Sequence, residues 1–358
     1  MKNTFRIIAV VCLVAILGVG SAWAGNDDRR GTAGATELLI NPWARSTGWG
    51  SVGTANVRGL DAFFCNIAGL SYVQKTEISY SNAMWYGGKS GLVSGATINA
   101  FGLGQRVFES GVLGVYVMAM SCGDIPVQTV ESPEAGSQGT FSPSLMNINI
   151  AYAHSFTTSI HGGVNIKVIN ETTADITGSG FGIDAGIQYV TGAEDQIKFG
   201  INLKNLGAAM NFSGTGLAFT FVNDNDNNMT AEFRSGEMEL PTCLNIGLSY
   251  DFLMEKFDQR LTIAGNFTSN AFLKDNFTIG AEYSLLDMIQ FRAGYVYQTG
   301  LLDDDARTTA NSGLCAGASF DIPLSKKEGS NSAMSIDYSY RTADLMKGTH
   351  TIGATIKL

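Results

Sequence analysis

From about position 71 to the C-terminus, apolar residues return at every second position. Ile148, Ile150 and Tyr152 alternate with Asn147, Asn149 and Ala151. Leu244, Ile246, Leu248, Tyr250 and Phe252 alternate with Asn245, Gly247, Ser249 and Asp251. The same rhythm runs through Phe291, Ala293, Tyr295 and Tyr297, and through Ile336, Tyr338 and Tyr340. A period of two is that of a β-strand with one apolar face and one small or polar face. Such runs predict about fourteen strands, at 71–84, 91–104, 110–121, 145–155, 159–171, 180–190, 196–205, 240–253, 259–268, 275–286, 288–299, 312–322, 333–341 and 348–358.

The connections sort by parity. Those expected after odd strands are the longer ones, at 85–90, 122–144, 172–179, 206–239 and 300–311. Those after even strands are short, at 105–109, 156–158, 191–195, 254–258 and near Asp287, with 323–332 as the exception. Bacterial transmembrane barrels have an even strand number, short periplasmic turns and longer outer loops. A soluble β-sandwich has no reason to sort its loops this way. The pattern therefore reads as an all-β chain, a transmembrane antiparallel barrel with lipid on the apolar face and lumen on the polar one.

The N-terminus supplies the route. Lys2 and Arg6 precede an apolar run from about Ile7 to Val19, and Ala22-Trp23-Ala24 has the form of a cleavage site. Residues 1–24 read as a secretory signal peptide cleaved near Ala24. Cys12 lies inside the apolar run, which does not suit a lipoprotein. No later stretch approaches the ~18 apolar residues that a spanning helix needs. A barrel needs none, because its strands satisfy one another's backbone groups.

Composition agrees. Charged residues make up 15% of the chain and there are 43 Gly. The net charge of −9 becomes −11 once the leader removes Lys2 and Arg6. An acidic exported chain lacks the basic footprint that nucleic acid requires. Cys65, Cys122, Cys243 and Cys315 are scattered and read as isolated side chains rather than a disulfide framework.

Catalytic and metal chemistry is not legible. His154 and His161 flank one turn and His350 stands apart. Asn223 to Asn228 begins like a calcium loop, but Met229 and Ser235 occupy its glycine and glutamate positions. Asp303, Asp304 and Asp305 form a second acidic loop. No nucleophile elbow, zinc helix or phosphate loop stands in context. The expectation is a non-enzyme without cofactor or metal.

The segment 25–70 differs from the rest. It lacks alternation, is rich in Gly and Ala, and carries Trp43, Trp49, Phe63 and Phe64. Disordered tails are poor in aromatics, so it reads as a plug with short helices or turns, inside the barrel 71–358 or across its periplasmic mouth.

This segment also resembles the N-terminal signature of the PorV/PorQ family of Bacteroidota outer-membrane proteins. Gly31, Thr32, Ala33 and Gly34 match its start, Ala44, Arg45, Gly48 and Gly50 its middle element, and Asn66-Ile67-Ala68-Gly69-Leu70 its closing box, with Ile67 where the family usually has Pro. Asn205-Leu206-Gly207 with Phe212, Leu240-Pro241, Arg292 to Tyr295 and Asp337-Tyr338 with His350 are further similar points. The signature residues are Gly31, Gly34, Arg45, Gly48, Gly50, Asn66 and Gly69.

The resemblance implies a barrel like the FadL fatty-acid transporters, in the outer membrane with its lipopolysaccharide. It further implies a role in type IX secretion: binding the C-terminal signal domain of cargo proteins and passing them, with other secretion components, from translocon to surface attachment. The alternative is a FadL-like channel for hydrophobic small molecules.

Overall fold

In the computed structural model, the described residues are 27–90, 96–134, 138–254, 259–286, 288–303, 305–324, 332–344 and 346–358. The expected leader, Cys12 and the turn 255–258 lie outside them.

Fourteen strands form the wall: β1 (Thr76–Met84), β2 (Thr97–Arg106), β3 (Gly111–Ser121), β4 (Ser144–Ser155), β5 (Ile160–Thr173), β6 (Ile176–Thr191), β7 (Ile197–Gly207), β8 (Cys243–Met254), β9 (Gln259–Asn270), β10 (Asn276–Leu285), β11 (Ile289–Gln298), β12 (Asn311–Pro323), β13 (Ala333–Ala343) and β14 (Thr349–Lys357). Each pairs antiparallel with its sequence neighbour, and β1 pairs with β14 from Glu77↔Lys357 to Met84↔His350. That last pairing closes the sheet and removes both edges.

Burial alternates along the strands as the sequence does. On β4, Ile148, Ile150 and Tyr152 point outward while Asn147, Asn149, Ala151 and Ala153 are buried. Phe101, Val168, Ile187, Leu248, Phe291 and Ile352 are likewise exposed on the outer face. Such a continuous apolar exterior is stable against lipid and not against water. No helix among the described residues is long and apolar enough to cross a membrane.

Three expectations are corrected. The first strand starts at Thr76 rather than 71, because Ile67–Tyr72 wind into a 3-10 helix. The loop expected at 172–179 is a hairpin: β5 continues to Thr173 and β6 starts at Ile176, turning at Ala174 with φ 48°. Its polar, glycine-rich sequence looks like a loop, but Gly178 and Gly180 face inward and leave room for Phe212 and Met210. The loops 122–144 and 206–239 carry structure of their own. Ile125–Pro126 pairs with Thr140–Phe141, and Ala218–Val222 with Asn228–Glu232, while Asn211–Ser213 extends the β6 edge.

The N-terminal segment fills the lumen. Gly34 N–H donates to Glu239 O at 2.9 Å, which places this part of the segment at the long-loop mouth. It descends through the helical turns Ala44–Thr47 and Ala62–Cys65 and leaves at the start of β1. It is therefore not confined to the short-turn mouth but spans the barrel. Trp43, Leu60, Phe63 and Leu70 form its main core, against the inner faces of β2, β3 and β4. Tyr116 of β3 stacks between Trp43 and Phe63, at 5.4 and 5.3 Å between centroids. Such aromatic pairs contribute about 0.5–1.5 kcal/mol each beyond the area they bury.

Glycines on the inner wall let the plug backbone lie against the strands. A Cβ on Gly200 would sit 2.2 Å from Thr54 O, and one on Gly294 2.2 Å from Trp49 O. A side chain at either place would clash with the plug backbone and force it to shift.

Candidate small-molecule site in the lumen

The seven signature residues occupy separate places. Gly31 lies exposed at the long-loop mouth with φ +81°. Gly34 packs under Met238, where a Cβ would come to 3.0 Å of the Met238 Cβ. Gly48 meets Gly317 of β12, and its Cβ would lie 2.9 Å from Gly317 Cα. Gly50 turns at φ +79° beside Thr278, and Gly69 lies against Val57 O. Asn66 is fully buried. It caps the 3-10 helix by accepting from Ala68 N–H, and it donates to Thr54 O at 2.8 Å and Ile187 O at 3.0 Å. Gly34, Gly48, Gly50, Gly69, Arg45 and Asn66 lie in close contact with their surroundings, Gly31 does not, and the seven do not converge on one centre.

Arg45 anchors the plug near the short-turn mouth. Its guanidinium donates to Asp321 at 2.7 Å and to Asp337 at 3.0 Å. Burial alone would lower its pKa, but the Asp337 and Asp321 carboxylates outweigh that and raise it. Beside it, Glu282 takes ion pairs from Arg292 at 2.6 Å and Arg260 at 2.9 Å. Lys198 pairs with Asp251 on the same level of the wall. This end of the lumen is closed by mutually neutralised charge.

The long-loop half is different. A cavity of about 290 Å³ lies between the plug and the inner faces of β7 to β13. Asn41, Ser51, Thr54, Phe64 and Cys65 of the plug form its floor. Amides and hydroxyls such as Asn245, Asn266, Thr268 and Gln298 line the wall, with Leu39, Ile40, Val296 and Leu301 as apolar patches. The volume is at the lower edge of the ~300–1,000 Å³ of ligand pockets. Asn245 Oδ1 accepts from Thr268 at 2.6 Å, and Asn266 Nδ2 donates to Thr268 Oγ1 at 3.0 Å.

Lys204 is the exceptional group. Among the described residues three lysines are buried on the inner wall: Lys167, Lys198 and Lys204. Lys167 pairs with Asp184 at 2.8 Å and Lys198 with Asp251. Lys204, 3% exposed, has no carboxylate and instead rests its Nζ 3.5 Å above the centroid of the Phe64 ring. Asp184 is already committed, accepting from Lys167, from Asn165 at 3.0 Å and from Asn205 N–H at 2.8 Å. The β6–β7 register shifts just here, between Ile183 and Ala185, and Asn205 takes φ 59°. Arg341 of β13 lines the opposite side of the same cavity.

Among the described residues the cysteines Cys65, Cys122, Cys243 and Cys315 are free. Burial pushes the Cys65 thiol up to about 12, with Asp61 adding to it, so the thiolate that a nucleophile or soft-metal ligand requires is suppressed. His161 is buried at the end of the plug, its Nδ1 near Ser155 Oγ at 2.9 Å and its ring on Tyr72. The loop beginning at Asn223 closes on itself, Asn223 Oδ1 accepting from the Asn225 and Asn227 amides.

Sequence reasoning missed the cavity residues. Alternation marks Lys204 and Asn245 as lumenal, but nothing local distinguishes a lysine that meets a carboxylate from one that does not.

No protein-family profile matches the chain, and no curated protein sequence matches it. Solved structures do. The monoaromatic hydrocarbon channel CymD is 13% identical with a TM-score of 0.54, over 89% of this chain and 97% of that one. The Pseudomonas putida toluene transporter TodX is 11% identical with a TM-score of 0.54, over 88% and 97%. A Pseudomonas aeruginosa FadL homologue gives 11%, 0.54, 88% and 98%. At this identity the likeness is one of fold alone.

Proposed function

We propose that the protein is an outer-membrane channel of FadL-like design that admits small organic molecules with apolar surface through the long-loop mouth. The observation that carries this reading is the cavity between the plug and the wall, about 290 Å³ and lined by apolar and hydrogen-bonding side chains. Phe64, Leu39, Ile40 and Val296 offer the apolar contact. The neighbours of known structure, named for toluene and monoaromatic hydrocarbons, support it by analogy. The test is uptake of a radiolabelled monoaromatic by cells lacking their own channel, with and without this protein. Equal uptake with and without the protein counts against it.

The second reading, handling of secreted cargo in type IX secretion, has one structural observation in its favour. The hairpin 218–232 projects from the long-loop mouth with Phe219, Phe221 and Phe233 exposed, Phe219 and Phe233 stacked at 4.4 Å. An exposed aromatic face suits a protein partner. Deleting the hairpin should release cargo from the cell surface under this reading; unchanged surface cargo counts against it.

A further inference from the structure

We infer that the lumenal cavity selects a compact organic acid, its anionic group seated at Lys204 and its body between the Phe64 side and the amide wall. This rests on the cavity being the ligand site, as proposed above.

The argument is one of charge. The chain carries a net charge of −9. Yet among the described residues lining this cavity there are two cations, Lys204 and Arg341, and no carboxylate. Elsewhere in the lumen, among the described residues, the buried cations Lys167, Lys198 and Arg292 are matched by carboxylates in contact. Lys204 feels the Asp184 carboxylate only at a distance, since that group is bound to Lys167. A buried charge with no counter-charge in contact is costly, and a cation–π contact with Phe64 offsets only part of it, about 0.5–2 kcal/mol. An incoming carboxylate supplies the missing charge in a low-dielectric site, where a charge-assisted hydrogen bond is strong.

The remaining walls set the rest of the ligand. Thr268, Asn270, Gln298 and Thr308 present hydroxyl and amide groups that can meet a hydroxyl substituent. Phe64 and Val296 give a ring an apolar face. The volume of about 290 Å³ restricts the ligand to a compact molecule.

The experiment compares 4-hydroxybenzoate with its neutral analogue 4-methylphenol by calorimetry on the detergent-solubilised full-length protein. The acid is expected to bind at least tenfold tighter. Lys204→Met should bring it down to the level of the phenol, and Lys204→Arg should restore most of the difference. Heat-modifiable gel migration confirms that each variant is folded; if Lys204→Met does not fold, the two ligands on the native protein together with Lys204→Arg still decide. Equal or tighter binding of the phenol overturns the inference but leaves the channel reading standing. Tight binding of the acid without cellular uptake does the reverse. Binding of neither ligand overturns the inference.

Discussion

Arg45, in the first helical turn of the plug, bonds Asp337 on β13 at 3.0 Å across 292 residues of sequence. With Asp321 at 2.7 Å it is clamped by two carboxylates on adjacent strands. Replacing Arg45 with Met leaves both acids without their cation. Breaking a fully buried pair costs about 3–5 kcal/mol; because the Arg45 side chain keeps 27% exposure, a loss on the order of 2 kcal/mol is expected. Urea unfolding of the solubilised barrel measures it, and a midpoint unchanged from the native protein would contradict the clamp.

Gly48 and Gly317 touch backbone to backbone. Gly48→Val should push the plug off β12 and cost roughly 1–3 kcal/mol. Gly317→Ala attacks the same contact from the other side, its Cβ falling 2.8 Å from Gly48 Cα. The double variant should therefore cost less than the two single changes added together. Strict additivity in a melting series would show that the two glycines do not share one contact.

Asn66 works through both ends of its amide. Asn66→Ala removes the cap and two buried donors and should destabilise by about 1–3 kcal/mol. Asn66→Asp keeps the capping oxygen but turns a negative acceptor toward Thr54 O and Ile187 O, so it should be the worse of the two. Thermal midpoints in the opposite order would rule out the donor role.

Glu37 makes docking of the N-terminal end pH-dependent. It is 2% exposed, and burial followed by the neighbouring Glu171 carboxylate pushes it up to about 8, against a smaller opposing pull from Lys167. A carboxyl that titrates higher when docked stabilises docking at low pH, where it is protonated in both states. That stabilisation is lost as pH rises from about 5 through about 8. Hydrogen-exchange protection of the amides near Glu37 should fall across this range. Glu37→Gln should flatten the profile; a profile that stays pH-dependent in that variant assigns the effect elsewhere.

The orientation of the barrel is tested at Val130, fully exposed in the loop between β3 and β4. In a Cys122→Ser background, which removes the free, half-buried thiol of the same loop, a membrane-impermeant maleimide should label Val130→Cys on intact cells. Labelling only after the outer membrane is broken would invert the assignment of the long-loop mouth.

Much of the architecture was legible. Alternation such as Leu244 to Phe252 depends only on neighbours two apart, so strand number and facing could be read without knowing any partner. The polar stretch 172–179 was misread because a lumen-facing position also accepts glycine and threonine, the residues that mark loops elsewhere. The signature residues were visible as a set, but their roles were not: Gly48 is explained by Gly317, and Asn66 by Thr54 and Ile187.

Local pattern alone specifies a chain that alternates into some fourteen strands and sets apart an aromatic, non-alternating segment. These features are local, and a period of two is fixed by backbone geometry. The fold is what places this segment through the lumen, seats its backbone on inner-wall glycines, and leaves Lys204, among the three buried lysines of the described residues, with no carboxylate in contact. Those facts depend on which residues closure of the β1–β14 seam brings face to face across the barrel, and no short-range pattern encodes that.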